Sequence, residues 1–473
     1  MSQTQNFKNL LLKGLNFEPT VAQKKACGLL AYFVCEKKVP LFVLKGYAGT
    51  GKTTVLSSLV NHLGYISLES IQLAPTGRAA KVIASYSGKP AYTIHKKIYS
   101  RKRISGKIYT DVAYNKHKNT IFIVDEASMI TNQSSNGSWL QDERRLLDDL
   151  VQYVFSGKNN ALILVGDTAQ LPPVEDSHSP ALDLEYLTER YDLPILNCEL
   201  NEVVRQEAAS GILFNATRLR NELKEETRKF PKFHLGFSDF LPITGETLQD
   251  ELESAYSKMH KEGVMIICRS NKRANLFNMQ VRARILWFEE ELCPGDLLMV
   301  VKNNYFWIHK EHQSGFIANG DIIEVKRVLK TEDIFGLRFA NIIARYTDND
   351  NEPEFECKIM LDALTDEGAS LSRDKLKMLY YALEEDFSEI SDKKKRTESI
   401  FNSPYFNALQ VKYAYAITCH KSQGGQWPIV FVDQGYLTEE MINESFRRWL
   451  YTATTRATEK LYLINFNPQF FEG

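Results

Sequence analysis

The stretch VLKGYAGTGKTTVLSS at 43–58 constrains the fold more than any other part of the chain. Gly46 and Gly51 enclose four residues and precede Lys52 and Thr53, giving the pattern G-x-x-x-x-G-K-T. With Ala48, Gly49, Thr50 and Thr54 the run is built of small side chains. Backbone N–H groups can then turn inward around a phosphate at a helix N-terminus, where partial positive charge already favours an anion. Such a loop needs a strand before it and a helix after it. The apolar run Leu41–Leu44 predicts the strand and KTTVLSSLVNHL the helix. Lys52 is placed to reach the β- and γ-phosphates of ATP, and the Thr53 hydroxyl to ligate Mg²⁺.

The same alternation runs on. LFVLKG, IQLAPT, IFIVDEAS and ALILVGD are short apolar runs with helical patterns between them, which predicts a parallel sheet covered on both faces. VMIICRS, the helical NKRANLFNMQVRARI, then YAYAIT, PIVFVDQ and KLYLIN around EEMINESFRRWLYTATTRAT predict a second α/β domain interrupted by an insertion. In the insertion GDLLMVVKN, GDIIEVKRVL, GLRFANIIARYT and EFECKIML follow one another without helices, as in a small antiparallel barrel. LSRDKLKMLYYALEEDFSEISDKKKRTES after it predicts a polar helical arm.

The total of 473 residues accommodates about three domains. The apolar content of 44% is that of an ordinary soluble chain, no apolar run approaches the roughly 20 residues of a membrane span, and the N-terminal stretch carries no secretory pattern. Seven cysteines without a C-x-x-C pair argue against a zinc site or disulfide framework and predict reduced core residues in a cytosolic protein. A net charge of −1 means that any surface for a polyanion must be local. From Lys96 to Lys118 eight Lys and Arg face the single Asp111, interleaved with Tyr99, Tyr109 and Tyr114. Rings among cations suit nucleic acid, because rings stack on bases while cations neutralise phosphates; a solvated loop is the plain alternative.

In IFIVDEASM, Asp125 ends a buried strand where it can hold Mg²⁺, and Glu126 can act as general base on an attacking water. In LILVGDTAQLPPV, Gln170 is placed to sense a γ-phosphate, while Asp167 and the Pro172–Pro173 pair stiffen the loop. Arg205 in LNEVVRQ and Arg456 in YTATTRATEK are candidates to neutralise charge on the transferring phosphoryl group.

The P-loop, APTGRAAK, TIHKKI, VDEAS, GDTAQLPP, EVVRQ, AITCHKSQG and YTATTRA occur in the order found in superfamily 1 helicases, and the chain resembles the RecD-like and Dda-like branch of that family, superfamily 1B. The resemblance implies an α/β protein with two RecA-like P-loop motor domains, a β-hairpin pin and an SH3-like barrel insertion that braces the pin. The first motor domain would comprise 1–95 and 120–207, the pin 96–119, the second motor domain 208–292 and 401–473, and the barrel with its arm 293–400. It implies adenine recognition by Gln23, two arginine fingers at Arg205 and Arg456, and Gln423 and Gly424 in the nucleotide cleft. Single-stranded DNA would be gripped by Pro75, Thr76, Arg78, Lys81, Thr93 and His95 in the first domain and by Asn271, Thr418, His420 and Lys421 in the second. Tyr99 and Tyr109 would serve on the pin.

The function so implied is an ATP- and Mg²⁺-dependent DNA helicase acting as a monomer on single strands and their junctions with duplex. It would move 5′ to 3′ in the cytoplasm of a bacterium or phage-infected cell, with replication or recombination proteins as partners and no membrane. Two alternatives stay open at this point. A translocase on DNA or RNA would hydrolyse ATP without separating a forked duplex, and a nucleotide-switched binding module would turn over slowly whether or not single strands were present.

Overall fold

The computed structural model describes residues 2–104, 107–134, 144–174, 176–203, 210–223, 229–307, 317–347 and 353–472, with the backbone alone at 101–104 and 107–110. Its first sheet has six parallel strands in the order Ala91–Thr93, Glu69–Ala74, Thr120–Val124, Ala161–Gly166, Leu41–Gly46, Ile195–Leu200. Successive residues of a strand point to opposite faces. Phe42 and Leu44 accordingly enter a core shared with helices Gln3–Lys13, Val21–Glu36 and Lys52–His62, whereas Leu41 and Val43 enter one shared with helix Leu146–Ser156. Both faces are covered, so the strands read as unbroken apolar runs.

The second sheet has five parallel strands, ordered Ala416–Thr418, Val264–Cys268, Trp427–Asp433, Ala457–Ile464, Phe240–Ile243. Leu297–Val300, Ile322–Ile334, Leu337–Tyr346, Phe355–Met360 and Leu409–Tyr413 close into a barrel. The expected segment YAYAIT thus divides: Leu409–Tyr413 closes the barrel beyond residue 400, and Ala416–Thr418 joins the second sheet. The arm consists of helices Arg373–Asp386 and Lys393–Phe401. Tyr99–Ile104 and Lys107–Val112 form an antiparallel hairpin at the basic segment.

The barrel is tied to the second sheet by a buried pair. Arg282 Nε and Nη2 donate to Asp296 Oδ1 and Oδ2 at 2.8 and 2.9 Å, and the Tyr415 hydroxyl donates to Asp296 Oδ1 at 3.0 Å while accepting from Leu297 N–H at 3.0 Å. Both carboxylate oxygens of Asp296 are matched, the condition under which a buried ion pair is tolerated. The barrel also touches the first domain. A Cβ on Gly77 would stand 2.4 Å from that of Ala318, and Lys81 Nζ lies 3.5 Å from Asp321 Oδ1 and 4.2 Å from the Tyr346 ring centroid.

Candidate functional site: a cleft between two sheets

Strand Leu41–Gly46 delivers the loop to the helix beginning at Lys52, as expected. Gly49 and Gly51 have φ of 71° and 79°, a region other residues adopt at a cost, and a Cβ on Gly46 would come within 3.1 Å of Lys52, Thr50 and Leu200. Lys52 Nζ donates to Tyr47 O at 2.9 Å and Thr50 Oγ1 to the same carbonyl at 2.8 Å, closing the loop on itself. Thr53 and Asp125 line one small cavity, whereas Thr54 is exposed.

Gln23 is fully buried, and its amide already has partners. Nε2 donates to Thr50 O at 3.0 Å, and Oε1 accepts Thr20 N–H at 3.0 Å in a capping box that opens helix Val21–Glu36. It braces the loop from behind with one amide hydrogen and one oxygen lone pair engaged.

Asp125 and Glu126 follow strand Thr120–Val124. Glu126 has φ of 52°, and its N–H donates to Asp125 Oδ1 at 2.8 Å. Burial raises the pKa of both carboxyls. Asp125 raises that of Glu126 further, while Arg456 and Lys52 oppose the rise. Cations of the P-loop and of the second domain therefore act on one carboxylate. Gln170 is buried, and its Oε1 has no hydrogen-bond partner among the described residues. Arg205 lies outside the described residues.

The second domain reaches this cleft through helix Glu444–Thr454, whose residues at spacings of three and four share a face. Arg448 Nη1 donates to Thr168 O, the Tyr451 hydroxyl donates to Asp167 Oδ2 at 2.6 Å and accepts Ala48 N–H at 3.0 Å, and Thr452 Oγ1 accepts Leu171 N–H at 2.9 Å. These three residues escaped sequence reasoning. Their signal lies in the spacing 448, 451, 452 within RRWLYTATTRA, which puts all three on one helix face. Arg456 itself is buried, with Nε and Nη1 donating to Thr452 O and Gly425 O at 3.0 and 3.2 Å. Gln423 Nε2 crosses to Leu171 O at 2.8 Å, and at Gly424, φ 73°, a Cβ would stand 2.9 Å from that of Ala79.

The residues expected on a DNA strand divide into groups. Thr76 and Thr93 cap helices Gly77–Ser87 and Ile94–Ile98, accepting Ala79 N–H and Lys96 N–H, with Pro75 just before the first cap. Arg78 and Lys81 face the second domain and the barrel, respectively. The His95 ring centroid is 5.7 Å from that of Tyr99. Tyr99 is not a free stacking ring. It packs on the first-domain core, and its hydroxyl donates to Asp149 Oδ2 at 2.7 Å, because the hairpin's first residue is still part of the domain wall. Tyr109 pairs with Lys102 across the hairpin; its side chain lies outside the described residues. In the second domain Asn271, Thr418 and Lys421 line one small cavity with Lys412, and His420 is exposed beside them. Burial and the Lys412 charge bring the Lys421 pKa down to about 8.

Comparison with known proteins matches residues 29–230 to an AAA domain and 413–464 to a UvrD-like helicase C-terminal domain. The ATP-dependent DNA helicase dda of Enterobacteria phage T4 is 27% identical over 59% of this chain and 60% of its own length. The ATP-dependent RecD2 DNA helicase of Deinococcus radiodurans is 25% identical over 89% of this chain and 46% of its own. In both matched domains the chain is similar to superfamily 1 helicases. An uncharacterized protein of Acanthamoeba polyphaga mimivirus is matched over 98% of its length at 22% identity, whereas this chain spans only 60% and 46% of the two helicases above. In fold it is similar to the Pif1 helicase from Bacteroides solved with ADP-AlF3 and ssDNA, with TM-score 0.50 at 16% identity over 97% of this chain and 95% of that one.

Proposed function

We propose that this chain is an ATP-dependent DNA helicase that tracks along single-stranded DNA and separates duplex at a junction. The observation that carries the proposal is the meeting of Lys52, Asp125 and Glu126 from one sheet with Tyr451 and Arg456 from the other. Nucleotide held there would join two bodies, so its hydrolysis would alter their separation.

The close packing at Gly46, the two left-handed glycines and the Gln170 oxygen without a partner among the described residues suit a triphosphate. Bound Mg²⁺ would offset phosphate charge, and the Thr53 hydroxyl and Asp125 carboxylate are the hard oxygen donors it takes. Lys52 would leave Tyr47 O for the phosphates, Glu126 would accept the proton of the attacking water, and Gln170 would register the terminal phosphate. Arg456, with Arg205, would move onto charge developing in the transition state. DNA would run past Pro75, Thr76, Thr93 and His95 and past Asn271, Thr418, His420 and Lys421, touched by hydroxyls, amides and cations that do not distinguish bases. Domain closure on ATP and opening on hydrolysis would let each domain hold the strand in turn. The protein would act as a monomer, moving 5′ to 3′.

The test is phosphate release with and without a single-stranded oligonucleotide, followed by unwinding of forked DNA and RNA duplexes with either tail. Stimulation together with unwinding of the 5′-tailed DNA fork is expected. Stimulation without unwinding would leave a translocase, and slow unstimulated turnover a binding module.

A further inference from the structure

The mouth of the P-loop contains a group that belongs to neither the loop nor its domain. Tyr451 is 1% exposed, and its hydroxyl accepts the Ala48 N–H at 3.0 Å and donates to Asp167 Oδ2 at 2.6 Å. Asp167 Oδ1 is held by Ala169 N–H at 2.8 Å, so the carboxylate is fixed and fixes the hydroxyl in turn. Burial and Asp167 keep the phenol neutral, able to accept and donate at once. Backbone N–H groups of such a loop are the groups that receive phosphate oxygens.

Resting on the proposed ATP reading, we infer that the Tyr451 hydroxyl holds the place of a phosphate oxygen at Ala48 N–H, so that nucleotide binding must displace that hydroxyl. Tyr451 is then a positioning residue. Arg456 lies five residues further along the same chain segment, and Arg448 and Thr452 strap the same helix face to Thr168 and Leu171. Occupancy of the P-loop would be communicated to the second domain by competition for one N–H, with the straps at Arg448 and Thr452 kept while the Tyr451 hydroxyl is displaced.

The experiment measures binding of ADP carrying an N-methylanthraniloyl group by fluorescence anisotropy, without DNA, to the full chain and three variants. Tyr451→Phe keeps the ring and removes the competing hydroxyl, so ADP should bind about five-fold tighter, the worth of one neutral hydrogen bond. Thr452→Val breaks a strap on the same face without touching the P-loop and should stay within about two-fold of the parent, since an interface contact alone is not competed for by phosphate. Asp167→Asn weakens the anchor of the hydroxyl and should tighten ADP in the same direction, which supplies the test should Tyr451→Phe not fold. Equal affinities for Tyr451→Phe, Asp167→Asn and the parent overturn the inference, as does equal tightening by Tyr451→Phe and Thr452→Val. Failure of the parent to bind ADP at all would instead sink the ATP reading.

Discussion

The guanidinium carbon of Arg78 stands 4.1 Å from the centroid of the Trp427 ring, and its Nη2 donates to Gln426 O at 3.3 Å. Arg78 is the second residue of a first-domain helix and Trp427 begins a second-domain strand, so the pair spans the same division as the nucleotide cleft. A planar cation stacked on indole is favourable by about 1–2 kcal/mol when desolvated, and lysine does not reproduce its geometry. Arg78→Lys should therefore lower DNA-stimulated ATP hydrolysis about five-fold while leaving the salt dependence of single-strand binding unchanged. A shallower salt slope would return Arg78 to the DNA.

Glu126 carries the burden of burial. A carboxyl whose folded pKa is raised favours folding at low pH and disfavours it as pH climbs through that pKa. Glu126→Gln removes the ionisation and should raise the melting temperature of the nucleotide-free protein at pH 7.5 by about 2 °C, with the difference vanishing below the usual carboxylate range. ATP binding should survive and turnover should stop. Loss of binding would make Glu126 structural.

Lys421 titrates near 8 under burial and the Lys412 charge. Raising the pH from 7 to 9 removes its charge, and loss of one phosphate contact should weaken single-strand binding by about three- to ten-fold. Lys421→Arg keeps the charge throughout and should flatten the profile. An unchanged profile would remove Lys421 from the strand.

Tyr99 makes the opposite case. Tyr99→Phe leaves the Asp149 carboxylate with Arg144 at 3.6 Å but without its hydroxyl donor. The melting temperature should fall, reflecting about 1–2 kcal/mol, with DNA affinity unaltered in a filter-binding titration.

Arg456→Ala should reduce turnover on the order of 10³-fold if the side chain meets transition-state charge. Single-turnover measurement at saturating ATP checks it, and a loss under ten-fold would leave Arg456 as a brace for Gly425 and Thr452.

The strands named from apolar runs form because buried parallel strands carry their pattern in every residue. Ala91–Thr93 and Ile195–Leu200, at the sheet edges, were not legible: one is three residues long, and the other mixes Asn197 and Glu199 with its apolar positions. P-loop chemistry was readable because glycine spacing is itself the mechanism. The partners of Tyr99 and Arg78, and the Thr50 carbonyl that Gln23 meets, were hidden, since each lies across distances that local sequence does not encode. Gln23 shows it most clearly, because a side chain that suits an adenine edge suits a backbone carbonyl equally well.

Leu298 pairs with Tyr413, so the first and last strands of the barrel are neighbours and the whole insertion leaves and rejoins the second sheet at one spot. An excursion with such closely spaced ends resembles a cassette in its socket. A foreign barrel of equal gap could be grafted there, and the motor would keep its chain path provided that Arg282, Asp296 and Tyr415 still sealed the joint.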